Sequence, residues 1–214
     1  MTDQEILACV DHTLLKATAT WDEIAKLCDE AIRYKTASVC IPPCYVKRAR
    51  EAFPVLVVCT VIGFPLGYSV TQSKIAEAET AMADGASEID MVVNIAWLKS
   101  GRFDSVEDEI GRIKNVVKDA ILKVIIETCC LTEQEKIRMC EIIANVGADY
   151  IKTSTGFGAA GATLEDIALF RTYIGKKAKI KAAGGIKTKE AMIAFLEAGC
   201  SRIGSSSAVD LIIR

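Results

Sequence analysis

Eight short apolar runs, each followed by a stretch of helical periodicity, recur from end to end of this 214-residue chain. They are Asp11–Leu15, Ser38–Ile41, Val55–Ile62, Glu88–Asn94, Leu122–Glu127, Tyr150–Thr155, Lys179–Ala183 and Arg202–Ser205. Most are continuously apolar and do not alternate, the pattern of parallel strands covered on both faces. Between them, Phe103, Val106, Ile110, Ile113 and Val117 recur at the three- and four-residue spacing of one helix stripe. Thr20-x-x-Glu23, Thr132-x-x-Glu135 and Thr163-x-x-Asp166, the last with Asp in place of Glu, read as capping boxes that open helices. No linker or low-complexity stretch interrupts the series. Alternating strand and helix means parallel βα units. Eight units predict a closed (β/α)8 barrel, one compact domain over residues 1–214, with an open doubly wound sheet as the rival. The share is about 27 residues per unit, enough for a short strand, a helix and two brief loops.

Composition removes several function classes. With 51% hydrophobic residues and a net charge of -2, the chain is neither disordered nor basic enough to gather nucleic acid or anionic lipid. The uncharged stretch from Phe53 to Ser73 carries Pro54, Gly63, Pro65 and Gly67, and reads as a buried strand and loop, not a membrane span. No basic segment leads into an apolar signal-like region, so the expected setting is cytoplasmic. The nine cysteines are odd in number and form no CxxC pair, which fits reduced thiols used as small core residues. One histidine, His12, and the lone Cys40/Cys44 spacing do not make a zinc site, which leaves only carboxylate-bound magnesium open among metals, and no other cofactor is expected.

A weak repeat aligns three units. Gly85-Ala-Ser-Glu-Ile-Asp90, Gly147-Ala-Asp-Tyr-Ile-Lys152 and Gly199-Cys-Ser-Arg-Ile-Gly204 each read as a helix end, a glycine cap and a strand start. Alternate barrel strands share interior layers, so Asp90, Lys152 and Gly204 are expected at one height. Convergence of helix caps explains the repeat equally well.

Charges inside apolar strands carry the chemical signal. Asp90, Lys152 and Lys181 each interrupt a run of apolar residues. Burying a charge costs several kcal/mol, of order 3–5, unless it is paired, and the bland alternative is a lysine that reaches water from a strand end. Two lysines on consecutive strands plus a carboxylate favour a site. Apolar surroundings and a neighbouring cation both disfavour protonation of a lysine. A neutral lysine attacks a carbonyl to form a Schiff base, and a carboxylate with bound water shuttles protons. Such a site supports aldol cleavage and condensation without a metal.

The last three strands run into Thr155-Gly-Phe-Gly158, Gly184-Gly185 and Gly204-Ser-Ser-Ser207. Glycine lets backbone N–H groups approach an anion, so these loops are expected to hold a phosphate. Asp11 and Thr13 on the first strand and Cys40 on the second are further candidates for contacting substrate. Cys40 also reads as an inert buried thiol, and His12 as structural. Glu127 ends the fifth strand, where it either hydrogen-bonds in the mouth or anchors the neighbouring loop.

Asp11-His-Thr-Leu-Leu15, Val61-Ile-Gly-Phe-Pro65, Glu88-Ile-Asp-Met-Val-Val-Asn94, Lys152-Thr-Ser-Thr-Gly156, Lys179-Ile-Lys-Ala-Ala-Gly-Gly-Ile186 and Arg202-Ile-Gly-Ser-Ser-Ser207 together resemble the deoxyribose-phosphate aldolase family. The resemblance implies a metal-free class I aldolase on a (β/α)8 barrel, cleaving 2-deoxy-D-ribose 5-phosphate to acetaldehyde and D-glyceraldehyde 3-phosphate. It implies Lys152 as the Schiff-base lysine, Lys181 as the lysine that perturbs it, and Asp90 as the proton-relay acid. It places phosphate contacts at Gly156, Gly184, Gly185, Ser206 and Ser207, and suggests a homodimer. Two departures stand out. Some members carry a basic residue where this chain has Phe157, which shifts phosphate binding toward backbone groups. Some carry a longer C-terminal tail with a proton-transferring Tyr, and the present sequence ends at Arg214, so that share is expected to fall to water or Asp90. The alternatives are another phosphosugar-barrel aldolase or isomerase, or a non-catalytic sugar-phosphate binder.

Overall fold

A computed structural model describes residues 1–213, so Arg214, the last residue of the expected domain, lies outside the described residues. The eight strands close into a parallel barrel in sequence order, which excludes the open sheet. The elements are α1 (Asp3–Leu7), β1 (Val10–Thr13), α2 (Trp21–Tyr34), β2 (Ser38–Ile41), α3 (Val46–Ala52), β3 (Val58–Ile62), α4 (Thr71–Ala83), β4 (Glu88–Val92), α5 (Ile95–Lys99), α6 (Phe103–Val117), β5 (Ile121–Ile125), α7 (Glu133–Val146), β6 (Tyr150–Lys152), α8 (Leu164–Ile174), β7 (Lys179–Ala183), α9 (Lys189–Glu197), β8 (Arg202–Ser205) and α10 (Ala208–Ile213). No helix among the described residues is long and apolar enough to cross a membrane.

Several strands end earlier or start later than the apolar runs suggest, for local reasons. β3 begins at Val58 and not Val55, because the Arg50 guanidinium takes the carbonyls of Pro54 and Leu56 into a turn. β4 stops at Val92, and Asn94 caps α5 by accepting the Trp97 N–H. β6 stops at Lys152, because the chain turns over Glu127, whose carboxylate accepts both the N–H and the hydroxyl of Thr155. Thr20/Glu23 and Thr132/Glu135 form complete capping boxes. Thr163 caps α8 from one side only: Asp166 is one methylene shorter than Glu, and its carboxylate is engaged by Lys136 Nζ at 2.6 Å.

The stripe Val106, Ile110, Ile113 and Val117 of α6 is fully buried against the barrel's outer face, with Phe103 half-buried beside it. His12 also points outward, its Nε2 lying 3.0 Å from Glu30 of α2. Of the cysteines, Cys28, Cys40, Cys59, Cys140 and Cys200 are buried as expected of core thiols, whereas Cys44, Cys129 and Cys130 are exposed and correct that reading.

The strand register sets the interior. Following pairings around the barrel, each second strand advances by two residues, so alternate strands fill layers of four. One layer holds Cys40, Asp90, Lys152 and Gly204, the shared height that the repeat predicts. The layer beneath holds Asp11, Cys59, Lys123 and Lys181, and below that lie Ser38, Glu88, Tyr150 and Arg202.

Candidate active site

The barrel interior is an ionic lattice where an apolar core would ordinarily sit. Asp90 is fully buried, and its Oδ2 accepts from Lys152 Nζ and Lys181 Nζ, each at 2.7 Å. Its Oδ1 accepts from Lys123 Nζ at 2.8 Å. Lys123 also meets Glu88 at 2.6 Å, and Lys181 makes an ion pair with Asp11 Oδ2 at 2.5 Å. Arg202 closes the network below, donating to Asp11 and, at 2.9 Å, to Glu88. The Ser38 hydroxyl donates to Asp11 at 2.8 Å.

These contacts overcome the cost of burial. Burial would raise the Asp90 carboxyl, but Lys123, Lys152 and Lys181 together hold it well below the usual carboxylate range. Burial likewise opposes ionised Asp11, and Lys181, Lys123 and Arg202 outweigh it. Burial would deprotonate Lys181, yet Asp11 and Asp90 hold it well above the ordinary lysine range, and Lys123 is held up by Asp90, Cys59, Asp11 and Glu88 in the same way. The carboxylates Asp11, Glu88 and Asp90 are therefore matched three to three by Lys123, Lys181 and Arg202. Lys152 is the seventh charge, and of the seven it alone lines the cavity above.

That cavity, about 560 Å³, opens at the C-terminal ends of the strands. Its wall brings together Lys152, Thr13, Gly156, Gly184, Gly185, Ser206 and Ser207. Gly184 shows why glycine is needed: its φ is +82°, and Gly161 packs so closely that a Cβ there would meet the Gly184 carbonyl oxygen at 2.1 Å. Gly204 serves the layer below, since a Cβ would stand 3.3 Å from Lys181 Cε and 3.0 Å from Ala183 Cβ. Phe157 forms part of the wall, edge-on to Phe64 with centroids 5.3 Å apart. Lys16 and Lys187 also line the cavity and supply cationic side chains that the sequence reading missed.

Two of the expected residues are not brought to the cavity wall. Asp11 lies a layer below Lys152, tied to Lys181 and Arg202, and does not line the cavity. Cys40 is fully buried beside Cys59 and is likewise absent from the wall. Asp90, held well below the usual carboxylate range by three lysines, bridges Lys152 and Lys181 and lies within reach of a proton at Lys152 Nζ. Lys123, Glu88 and Arg202 join the network unannounced by the sequence reading. Glu127 holds the β6 loop through Thr155, a residue of the cavity wall, so its hydrogen bonds serve both the mouth and the loop. One donor set has metal-like spacing, with ligand atoms of Cys40, Cys59 and Asp90 within 4.8 Å of one another. The Lys123 ammonium already sits against it, 3.2 Å from Cys59 Sγ and 2.8 Å from Asp90, so these residues do not fit a cation.

With this geometry in hand, comparison with known proteins is specific. Residues 6–207 match the sequence profile of the DeoC/LacD family aldolases. The chain is 59% identical over 213 residues to a deoxyribose-phosphate aldolase of Clostridium botulinum, covering 99% of this chain and 96% of the relative. It is 56% identical over 205 residues to that of Clostridioides difficile, covering 95% and 94%. Among solved structures, the tetrameric deoxyribose phosphate aldolase of Aeropyrum pernix superposes with a TM-score of 0.91 at 28% identity, covering 99% of this chain and 91% of that one.

Proposed function

Because the chain belongs to the DeoC/LacD family of aldolases, we propose that Lys152 is the Schiff-base nucleophile of a deoxyribose-phosphate aldolase, working in the field of Lys181 and Asp90. The enzyme is a carbon–carbon lyase that reversibly cleaves 2-deoxy-D-ribose 5-phosphate to acetaldehyde and D-glyceraldehyde 3-phosphate. One observation carries the assignment of Lys152: it is the single member of the buried charge network that lines the cavity. Attack on a carbonyl needs the free-base form of this lysine.

Free-base Lys152 attacks the C1 aldehyde of the open-chain sugar, and loss of water gives an iminium. Asp90, 2.7 Å from Nζ, stands against the new positive charge. The iminium draws in the electrons of the C2–C3 bond, which breaks as the C3 hydroxyl loses its proton to water at the Lys152–Asp90 pair. D-Glyceraldehyde 3-phosphate leaves, and the enamine is protonated at C2 and hydrolysed to acetaldehyde. The phosphate rests on the backbone at Gly156, Gly184 and Gly185 and on the Ser206 and Ser207 hydroxyls, with Lys16 and Lys187 supplying cationic charge in place of a basic side chain at position 157. Residues 1–214 acting as one unit, a cytoplasmic setting, and self-association as a homodimer complete the proposal. Light scattering distinguishes a dimer from a tetramer like that of the Aeropyrum pernix relative.

A dehydrogenase-linked assay for glyceraldehyde 3-phosphate, run beside an acetaldehyde assay, tests the reaction. Equal release of both products from 2-deoxyribose 5-phosphate is expected. Isomerised sugar without acetaldehyde identifies a phosphosugar isomerase instead, and binding without product identifies a sugar-phosphate binder.

A further inference from the structure

Two thiols outside the catalytic network are placed to reach it. Cys129 and Cys130 are consecutive, exposed, and lie in the short 3-10 turn Thr128–Cys130 between β5 and α7. Cys129 Sγ lies 4.0 Å from Glu127 Oε1. Glu127, at a left-handed φ of 50°, is the residue that grips Thr155, three positions beyond Lys152 in the cavity wall. Gly158, in the loop after Lys152, approaches both groups: a Cβ on it would stand 3.0 Å from Glu127 Cδ and 3.2 Å from Cys129 Sγ. A displaced Cys129 side chain therefore meets the surroundings of the Glu127 carboxylate.

We propose that Cys129–Cys130 is a reversible modification site for peroxide-class oxidants, and that its closure to a disulfide loosens the Glu127–Thr155 clamp and lowers aldolase activity. The Cys129 thiolate attacks a peroxide oxygen, the O–O bond breaks, and hydroxide leaves to give a sulfenic acid. The Cys130 thiol then attacks that sulfur, the S–S bond forms, the S–O bond breaks and water departs. Overall two thiols are oxidised, one peroxide is reduced and two waters form. Burial and the adjacent Cys129 push the Cys130 thiol up, which suits the later, resolving role. Adjacent Cα atoms are about 3.8 Å apart, below the usual span of a disulfide, so the bond is strained and easily reduced.

The test treats the full chain with hydrogen peroxide, maps disulfides by peptide mass spectrometry, and measures kcat/KM before and after dithiothreitol. The Cys129→Ser/Cys130→Ser double variant is treated alongside, each protein being compared with its own untreated rate. Expected are a Cys129–Cys130 disulfide, a fall of about tenfold in kcat/KM that dithiothreitol reverses, and a double variant that holds its rate. Absence of that disulfide overturns the proposal. So does a disulfide that leaves kcat/KM unchanged, or a double variant that declines in parallel with the wild type. The kinetic half rests on the aldolase reading, whereas the mapping does not, so an untreated enzyme without aldolase activity is told apart from a turn that fails to oxidise.

Discussion

Lys152 and Lys181 donate to the same oxygen of Asp90, Oδ2, each at 2.7 Å. The two lysines come from adjacent strands and are register partners, yet only Lys152 lines the cavity. One carboxylate thus holds Lys152 and ties it to Lys181 on the neighbouring strand. Replacing Asp90 by Asn leaves Lys123, Lys152 and Lys181 short of a buried anion. The expected loss is about 3–5 kcal/mol of folding stability, read by urea denaturation, together with a fall in kcat. An Asp90→Asn variant with wild-type stability and rate would remove the lattice from the account.

The pH dependence of stability follows from the same charges. Asp11 and Asp90 are held below their unfolded values, so their contribution is complete above about pH 4 and is lost as pH falls further, where the unfolded chain takes up protons first. Lys123 and Lys181 are held above theirs, so their contribution is present below about pH 10.4 and is lost as pH rises beyond it. Unfolding free energies measured across this range are expected to form a plateau that drops at both ends. In Asp90→Asn the acid drop is shallower.

A second buried pair lies outside the barrel wall. Lys74 of α4 meets Glu109 of α6 at 2.8 Å, and both are fully buried. Burial lowers Lys74 and raises Glu109, so each is pushed toward its neutral form despite the other. Lys74→Met or Glu109→Leu alone is expected to cost about 3–5 kcal/mol, and the double substitution no more than either single one. Chemical denaturation of the four proteins in this cycle gives the answer; fully additive losses would contradict it.

The proposed phosphate site includes Ser206 and Lys187, which line the cavity but take no part in the buried ion pairs. Ser206→Ala and Lys187→Ala are each expected to raise KM for 2-deoxyribose 5-phosphate roughly five- to tenfold, about one hydrogen bond's worth. KM for unphosphorylated 2-deoxyribose stays unchanged, and kcat falls little. Equal effects on both sugars would move the phosphate elsewhere.

Reading charges within apolar runs located Asp90, Lys152 and Lys181, and glycines after strands located the cavity rim. The same rule applied to Ile121–Ile125 would have flagged Lys123, which sits in the middle of that run as Lys181 does in its own. Glu88 and Arg202 were less visible, because each opens its strand and looks like an ordinary strand-end charge. Asp11 lies a layer below Lys152, whereas Cys40 shares the Lys152 layer and its short side chain does not line the cavity. Inward direction follows from strand alternation, but whether a side chain reaches the cavity or a lower layer depends on the stagger between strands, which only the closed register fixes. The early end of β6 was hidden for a related reason, since the Glu127–Thr155 contact that turns the chain joins residues 28 apart in sequence.

The central claim is that Lys152 forms the covalent intermediate. Incubation with acetaldehyde and sodium borohydride, followed by peptide mapping, tests it directly. The account predicts an N-ethyl lysine at Lys152, absent from Lys152→Ala, with Lys181 unmodified. An adduct on Lys181, or undiminished trapping in Lys152→Ala, would contradict it.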